Sequence, residues 1–348
     1  MNRKFWSRFF ESSLSSNLKS KIQNRKWAGR LAILFVLVGC VEMAEAQQPK
    51  VYRVGVLVPS ALGSEIVDGL RAGLKELGLE EGKQFVLEIR DTKGDLKAAE
   101  EAARNLEQEK VNLIYTTRTS VTIAAKRATA DIPIVFCAGT DPVVLGLVES
   151  FAKPGGRLTG VYEPATDLTA KRLEILKEIV PKLRRIVAFY DPRNPVASHS
   201  AKLAREEVAR LRGVEFVERL FASVEELQAG IRAVRTGEVD AFFQLSDSMV
   251  VNQAQLIIDT ARVKRLPTMF LDQISVVQGG LASYAVSYHE VGRLSAKYVQ
   301  RVLTGVKPKD LPVQGVDKIA LVINLKTANQ IGLTIAPNVL ARADRVIR

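Results

Sequence analysis

Hydroxyl and carboxylate side chains gather in six short loops, each of which follows an apolar run of β-forming residues. The candidate binding residues in these loops are Ser60, Arg118, Thr119, Ser120, Thr140, Asp141, Asp247 and Asp272. A hydroxyl beside the free backbone N–H groups at a helix start binds a carboxylate, while an aspartate accepts hydrogen bonds from an ammonium group or a hydroxyl. The same residue types also serve as plain helix caps and turn formers. Their recurrence at equivalent places favours reversible binding of a small polar molecule.

A ligand with one anionic and one cationic end would divide these residues between two tasks. Thr119 and Ser120, at one predicted helix start, and Thr140, before another, offer donors to the anionic end. Asp247 and Asp272, at the ends of later strands, offer acceptors to the cationic end. Because burying an unpaired carboxylate is costly, an inward-facing aspartate would require a cation or several hydroxyls on the ligand.

Arg118 and two tyrosines leave alternatives open. Arg118 favours a carboxylate-bearing ligand if its side chain faces the binding site, and it is a surface charge if the side chain faces solvent. Tyr162 and Tyr190 could stack on an apolar ligand body. Packing near the connection between lobes explains both tyrosines without a ligand, and we prefer that interpretation.

The sequence contains few of the residues and motifs that enzymatic catalysis commonly uses. Its histidines, His199 and His289, lie far apart along the chain, and its two cysteines, Cys40 and Cys137, are too few for a zinc cluster. Dinucleotide-binding, phosphate-binding, serine-hydrolase and zinc-protease motifs are absent from the sequence. We therefore expect a protein that is not an enzyme, with no catalytic residue, no metal site and no cofactor.

The elements that position these loops alternate between strand and helix. The first apolar run, 51–58, is followed by helical spacing of apolar residues over 64–77. Strand and helix patterns alternate up to residue 162, and the same order begins again with a helix at 168–180. This alternation predicts an α/β fold of two similar Rossmann-like lobes, each a mostly parallel sheet flanked by helices. In such sheets ligands bind beyond the carboxyl ends of the strands, where these loops lie.

Residues 1–46 have the pattern of an export segment. Eight basic residues precede a short uncharged apolar run, 31–41, which is too short to span a bilayer. An Ala-Glu-Ala sequence then predicts cleavage after Ala46, which would make Gln47 the first residue of the mature chain. The run Leu-Val-Gly-Cys ending at Cys40 also resembles a lipobox, in which Cys40 would be acylated. An uncleaved anchor or a buried helix is the third interpretation. We expect a periplasmic protein, either free or lipid-anchored through Cys40.

The charge pattern argues against nucleic-acid binding. The chain carries 50 Lys and Arg against 38 Asp and Glu, a net charge of +12, and much of the excess lies in residues 1–46. In the rest of the chain basic and acidic residues are interspersed, which is typical of solvated helix faces. Cleavage after Ala46 would leave Cys137 as a lone thiol, which we interpret as a buried small apolar residue.

Several motifs resemble one known family. They are Gly69 to Gly78, Ile132 to Phe136, Thr140-Asp141-Pro142-Val143, Gly146 to Ser150, Pro154-Gly155-Gly156 with Leu158-Thr159-Gly160, Lys171 to Glu174, Leu321 to Ala328, and Leu340 to Asp344. Together they extend over nearly all of 51–348. On these motifs the chain resembles the solute-binding proteins of ABC importers that have the type I periplasmic-binding fold, in the tryptophan- and tyrosine-type branch. It departs from that pattern at Arg118, where relatives often carry small residues.

The resemblance implies a particular division of the chain. Two lobes would be joined by three crossovers, and the solute would bind between them. The predicted parts are an N-terminal lobe of 51–163 plus 290–330, a C-terminal lobe of 164–289, a C-terminal helix within 331–348, and crossovers near Val161–Pro164, Ala285–Tyr288 and Lys307–Gln314.

The resemblance also implies a function. The protein would capture a small polar solute, such as an amino acid or a related carboxylate, and deliver it to an ABC permease in the inner membrane. We expect it to act as a monomer and without nucleic acid. The alternative is a periplasmic ligand-sensing partner of a signalling receptor, which would bind a solute without transporting it.

Overall fold

The computed structural model of the protein describes residues 51–59 and 63–348. The predicted export segment, with its alternatives at Ala46 and Cys40, therefore lies outside the described residues, and so does Ser60. Among the helices that are described, none combines the length and the apolar character needed to cross a bilayer.

The first lobe is built on a sheet in which every strand pairs in parallel with its neighbours. Its strands are β1 (Tyr52–Val58), β2 (Phe85–Asp91), β3 (Leu113–Thr116), β4 (Ile134–Ala138), β5 (Leu158–Tyr162) and the short β11 (Gln314–Gly315). Their order across the sheet is β11-β5-β4-β3-β1-β2. The central strands are buried on both faces, which explains why they read as continuous apolar runs in the sequence.

Helices cover both faces of this sheet. They are α1 (Gly63–Glu76), α2 (Leu96–Gln108), α3 (Thr119–Ala128) and, from much later in the chain, α10 (Tyr288–Leu303). Asp95 caps α2, and the helical spacing of Ala99, Ala103 and Leu106 buries one side of it. One sheet face packs against α1 and α10 and the other against α2 and α3, so that two apolar layers enclose the sheet.

Helices α1 and α10 approach each other unusually closely. A Cβ atom built on Gly292 would lie 1.9 Å from the carbonyl oxygen of Ile66, and one built on Gly69 would lie 2.0 Å from that of His289. No side chain fits in either place. These glycines therefore allow the two helix backbones to pack directly against each other.

The second lobe has a larger sheet that is parallel except at one pair. Its strands are β6 (Arg185–Tyr190), β7 (Glu215–Leu220), β8 (Ala241–Phe243), β9 (Thr268–Phe270), β10 (Ala282–Val286), β12 (Ile319–Asn324) and β13 (Arg345–Ile347). Their order is β13-β12-β10-β9-β8-β6-β7, and β12 runs antiparallel to β10.

The helices of the second lobe also form two layers. They are α4 (Thr169–Ile179), α5 (Pro195–Arg210), α6 (Val224–Ala233), α7 (Ser248–Asn252), α8 (Ala254–Lys264), α9 (Gln273–Val277), α11 (Leu325–Gln330) and α12 (Pro337–Leu340). One sheet face packs against α4, α5, α11 and α12, and the other packs against α6 and α8. Two mostly parallel sheets flanked by helices confirm the predicted fold class.

The chain passes between the lobes at 163–168, at Ser287 and at 316–318. The third crossover lies later in the chain than the predicted segment at 307–314. The prediction that the first lobe includes all of 290–330 was therefore wrong for 319–330, because β12 pairs with β10 of the second sheet.

The predicted C-terminal helix needs a second correction. The end of the chain contains only the short helix α12 and then the strand β13, which extends the second sheet beside β12. Ile335 and Val339 are buried in the core of that lobe. The tail is thus an integral part of the second lobe.

Candidate functional site

A cavity lies between the lobes, at the carboxyl ends of their strands. It contains about 340 Å³ of empty space, part of which is open to solvent. The first lobe contributes Arg118, Thr119, Ser120, Gly139 and Thr140 to its walls. The crossover and the second lobe contribute Ala165, Val196, Ser246, Asp247, Ser248, Val251 and Leu271. Of the eight predicted binding residues, the structure brings five to this cavity: Arg118, Thr119, Ser120, Thr140 and Asp247.

Helix N-termini from both lobes point into the cavity. Helix α3 begins at Thr119 and helix α5 at Pro195, next to the cavity residue Val196. The N-terminal end of a helix carries a partial positive charge and unpaired N–H groups. At the start of α5, Pro195 has no N–H and Asn194 already accepts from the N–H of Val196, whereas no described side chain caps the start of α3. The wall is therefore suited to a negatively charged group on a ligand chiefly at the start of α3.

The hydroxyl groups in the wall already have partners. Thr119 Oγ1 accepts hydrogen bonds from the backbone N–H groups of Gly139, at 2.8 Å, and of Thr140, at 3.2 Å. Thr140 Oγ1 lies 2.7 Å from the hydroxyl of Thr166. Thr119 and Thr140 thus shape the wall, while a hydroxyl can still make a further hydrogen bond.

Asp247 lies in the cavity wall of the second lobe and is 1% exposed. Its Oδ1 caps α7 by accepting from the N–H groups of Met249, at 2.9 Å, and Val250, at 3.3 Å, and its Oδ2 accepts from the N–H of Asp191, at 3.0 Å. No lysine, arginine or histidine among residues 63–348 forms an ion pair with it. Burial without a cation raises the pKa of Asp247 to about 6, against the opposing effect of these hydrogen bonds.

Asp272 and Asp141 do not line the cavity. Asp272 is fully buried and caps α9, where its carboxylate accepts from the backbone N–H and the hydroxyl of Ser275. Asp141 accepts from the backbone N–H groups of Val143 and Val144 in a surface turn. For both residues the structure supports the interpretation as a cap or turn former.

The structure resolves the two alternatives for Arg118. Its side chain is turned inward and lines the cavity, with 11% of the side chain exposed. Nη1 donates to the hydroxyl of Tyr288 at 2.8 Å and lies 3.5 Å from Oε1 of Glu163. The guanidinium carbon lies 4.5 Å from the centre of the Tyr288 ring, a cation–π contact.

Glu163 is a buried acid that the sequence analysis missed. It directly follows β5, and its side chain is 1% exposed. Both carboxylate oxygens lack a hydrogen-bond partner among the described residues. Burial raises its pKa, while the nearby Arg118 and Arg172 oppose that shift. Its position at the carboxyl end of a parallel strand is the signal that could have identified it.

Tyr162 and Tyr190 lie outside the cavity wall. The hydroxyl of Tyr162 donates to Asp167, and its ring packs edge-on against Phe151. The hydroxyl of Tyr190 donates to Glu218 at 3.2 Å. The structure thus supports the packing interpretation for both tyrosines.

The lobes also touch each other at the rim of the cavity. The loop after β2 contacts helix α7, where Asn252 Nδ2 donates to the carbonyl oxygen of Lys93 at 3.3 Å. A Cβ atom on Gly94 would lie 3.1 Å from the backbone nitrogen of Met249. Deeper in the cleft, the hydroxyls of Ser120 and Ser248 are 2.8 Å apart. The structure therefore shows the lobes in a closed arrangement.

The chain is similar in sequence to two known proteins. The chain is 28% identical over 259 residues to the tyrosine-binding protein of Clostridioides difficile (strain R20291), an alignment that covers 74% of each chain. It is 22% identical over 300 residues to an uncharacterized protein of Rickettsia prowazekii (strain Madrid E), covering 85% of this chain and 89% of that one.

Two solved structures are similar to this chain in fold and in sequence. A conserved domain protein from Vibrio cholerae matches with a TM-score of 0.77 and 30% identity, covering 86% of this chain and 99% of the other. An ABC domain from Streptococcus pneumonia, solved in complex with L-Trp, matches with a TM-score of 0.76 and 26% identity, covering 85% and 99%. The model of the ABC transporter substrate binding protein family matches residues 53–347. The two-lobed fold, the cavity between the lobes and this match show that the chain belongs to the family of ABC transporter substrate-binding proteins.

Proposed function

We propose that the protein captures a free amino acid with an apolar side chain in the cavity between its lobes. The observation that carries this proposal is the pair of opposite charges in the cavity wall. Arg118 comes from the first lobe and Asp247 from the second. An amino acid carries a carboxylate and an ammonium group, so one molecule can satisfy both residues and link the lobes.

Each end of the ligand has a defined place in this proposal. The carboxylate lies near Arg118 and the N-terminus of α3, with Thr119 and Ser120 beside it. The ammonium group lies near Asp247, which has a buried carboxylate and no described cation as partner. Because an unpaired buried charge is unfavourable, the ligand ammonium stabilises the ionised form of Asp247.

The rest of the cavity favours an apolar ligand side chain. Ala165, Val196, Val251 and Leu271 supply the apolar part of the wall. The tyrosine-binding relative and the relative solved with L-Trp support amino acids as the ligand class. Tyrosine and tryptophan are therefore the first candidates, followed by aliphatic amino acids.

The proposed action is capture and delivery without covalent chemistry. A ligand held by both lobes binds the closed state better than the open state, so it shifts the population toward closure. The closed protein then presents its solute to the permease of an ABC importer. This role places the mature protein on the outer side of the cytoplasmic membrane, in agreement with the export pattern of residues 1–46.

A thermal-shift screen of the purified protein tests the proposed function. Amino acids, small carboxylates, sugars and nucleosides are compared at equal concentration, and calorimetry gives the Kd of each hit. An amino acid at about 100 times its Kd should stabilise the folded state by about 2.7 kcal/mol. Stabilisation by a sugar or nucleoside alone would contradict the proposal, as would turnover of the hit in an NMR time course.

Amino-acid affinity is expected to increase as the pH rises from about 5 to 7. In the empty protein Asp247 holds its proton up to a pH of about 6. A bound ammonium group favours the ionised carboxylate, so binding below that pH must release a proton. Affinity should fall by up to about tenfold for each pH unit below 6. Calorimetry across this range gives the profile.

The variant Asp247→Asn serves as the control for this pH profile. The amide oxygen can keep the cap of α7 but cannot titrate. Its binding should be weaker and nearly independent of pH between about 5 and 7. Burial also raises the pKa of Glu163 and Asp272. If the affinity of Asp247→Asn still depends on pH, the pH dependence belongs to one of those acids.

Gly94→Val is expected to weaken ligand binding by opposing closure of the lobes, because residue 94 lies at the rim and not in the cavity wall. In the closed state the new side chain would meet the backbone of Met249 across the rim. Crowding of this kind costs about 1–3 kcal/mol, which corresponds to roughly one to two orders of magnitude in Kd. Small-angle X-ray scattering should show a larger radius of gyration than for the wild type in saturating ligand.

Gly82→Val is the matched control for Gly94→Val. Both glycines have a positive φ, +85° at Gly82 and +82° at Gly94, so a side chain strains the backbone equally at both positions. Nothing lies within 4 Å of a Cβ on Gly82. Equal loss of affinity in the two variants would mean that backbone strain, rather than contact between the lobes, is responsible.

A further inference from the structure

One edge of the Arg118 guanidinium is buried and has no hydrogen-bond partner among residues 51–59 and 63–348. Nε and Nη2 lie away from solvent, and neither donates a hydrogen bond to any described residue. Arginine binds carboxylates most strongly through two parallel N–H donors. Nε and Nη2 form such a pair, on a residue that lines the cavity. Buried donors are rarely left unpaired in folded proteins, so this edge calls for an acceptor.

The opposite side of the same guanidinium is held in place. Nη1 donates to the hydroxyl of Tyr288 and lies 3.5 Å from Oε1 of Glu163, while the guanidinium carbon lies over the Tyr288 ring, 4.5 Å from its centre. Glu163 lies on the first crossover, and Tyr288 directly follows the second. Both contacts use Nη1 or the face of the group. They therefore fix Arg118 and leave the buried Nε–Nη2 edge without a hydrogen-bond partner among the described residues.

The surroundings favour an acceptor with a single negative charge. Asp247 lies in the cavity wall, and two further buried acids, Glu163 and Asp272, lie near Arg118. These three acids outnumber Arg118 and the buried Arg172. A phosphate or dicarboxylate would be repelled by these groups, whereas one carboxylate is matched by Arg118. An uncharged solute such as a sugar would leave the guanidinium without its strongest kind of partner.

We infer that the Nε–Nη2 edge of Arg118 binds the ligand carboxylate through two hydrogen bonds and makes a free carboxylate a condition of tight binding. Tyr288 and Glu163 are positioning residues that hold the guanidinium in the required orientation. This inference rests on the proposed function, since it specifies which feature of the amino acid the cavity recognises.

Matched pairs of ligands test the inference. Calorimetry compares tyrosine with tyrosinamide and tryptophan with tryptophanamide, which lack the carboxylate but keep the ammonium group and the side chain. The wild type should prefer each acid over its amide by roughly a hundredfold, as expected for the loss of a buried charge-assisted pair. In Arg118→Met that preference should fall to a few-fold, chiefly through weaker binding of the acid.

A second variant keeps the test informative if Arg118→Met fails to fold because the buried Glu163 loses the cation 3.5 Å from its Oε1. Tyr288→Phe retains the ring and removes only the hydroxyl that holds Nη1. It should reduce the acid-over-amide preference by about tenfold and leave amide binding unchanged. Tyr298→Phe is the control on the same helix, because its hydroxyl donates to the carbonyl of Pro312 instead.

The outcomes separate this inference from the proposed function. If the wild type binds acid and amide equally well, or if folded Arg118→Met keeps the full preference, the role of Arg118 is wrong and amino-acid capture still stands. If Tyr288→Phe weakens acid and amide alike, its role is structural and the positioning part is overturned. If the wild type binds neither amino acids nor their amides, the proposed function itself fails.

Discussion

Replacing Asp247 with alanine is expected to weaken amino-acid binding by well over tenfold. In the proposed binding mode the ligand ammonium would lose Asp247, the one acidic residue among the described residues of the cavity wall. Truncating one member of a buried charge pair typically costs about 2–5 kcal/mol. Alanine also removes the cap of α7, so part of the loss would come from a less ordered wall. Calorimetric titration with the amino acid found in the screen measures the change.

Two further variants separate charge from capping. Asp247→Asn keeps an acceptor for the N–H groups of Met249 and Val250 and removes the charge, together with the acceptor for the N–H of Asp191. Its affinity should be almost as low as that of Asp247→Ala. Asp272→Asn makes the same change at another buried aspartate that caps a short helix, but outside the cavity wall. It should bind nearly as the wild type does. Wild-type affinity in Asp247→Asn would rule out Asp247 as the ammonium partner.

Gly292→Ala is expected to destabilise the protein strongly, although the substitution usually strengthens a helix. Alanine in a helix interior is favoured over glycine by about 1 kcal/mol. Here the added Cβ would lie 1.9 Å from the carbonyl oxygen of Ile66, which is backbone and cannot move aside alone. Helices α1 and α10 would have to separate, so the free energy of unfolding should fall by about 1–3 kcal/mol or more. Urea denaturation followed by circular dichroism measures it.

Gly230→Ala provides the comparison within a helix of the second lobe. Its added Cβ would meet only the ring edge of Phe189, at 3.0 Å, and a side chain can adjust where a backbone cannot. The helix preference for alanine should largely offset this contact, leaving stability within about 1 kcal/mol of the wild type. Similar destabilisation in both variants would argue against the direct backbone packing of α1 and α10.

The layered fold could be predicted because buried parallel strands leave a plain sequence pattern. Strands β3 and β4 are covered on both faces, so they appear as uninterrupted apolar runs between helical patterns. Strand β12 is equally apolar, yet hydrophobicity does not specify which sheet it joins. The repeated strand–helix pattern and the resemblance together predicted it in the first lobe, and only its pairing with β10 shows that it belongs to the second.

The candidate site could be predicted to the level of loops but not of atoms. Asp141, Asp247 and Asp272 all follow strands and all cap the backbone that comes next. Of these three residues only Asp247 lies in the cavity wall, and that follows from the tertiary structure rather than from a local sequence pattern. Glu163 and Tyr288 are separated by more than a hundred residues, so no local pattern could show that both contact Arg118.

The position of α10 determines how the protein can acquire its structure. Neither lobe is continuous in the chain: the first needs α10 and β11, and the second needs β12 and β13. When synthesis has reached Ser287, both sheets are incomplete, and the apolar face of α1 that includes Ile66 and Leu70 has no covering helix. The first lobe therefore cannot be completed before most of the second has been synthesised, unlike a domain that is continuous in the chain. Neither lobe can be completed without residues from the last sixty or so of the chain.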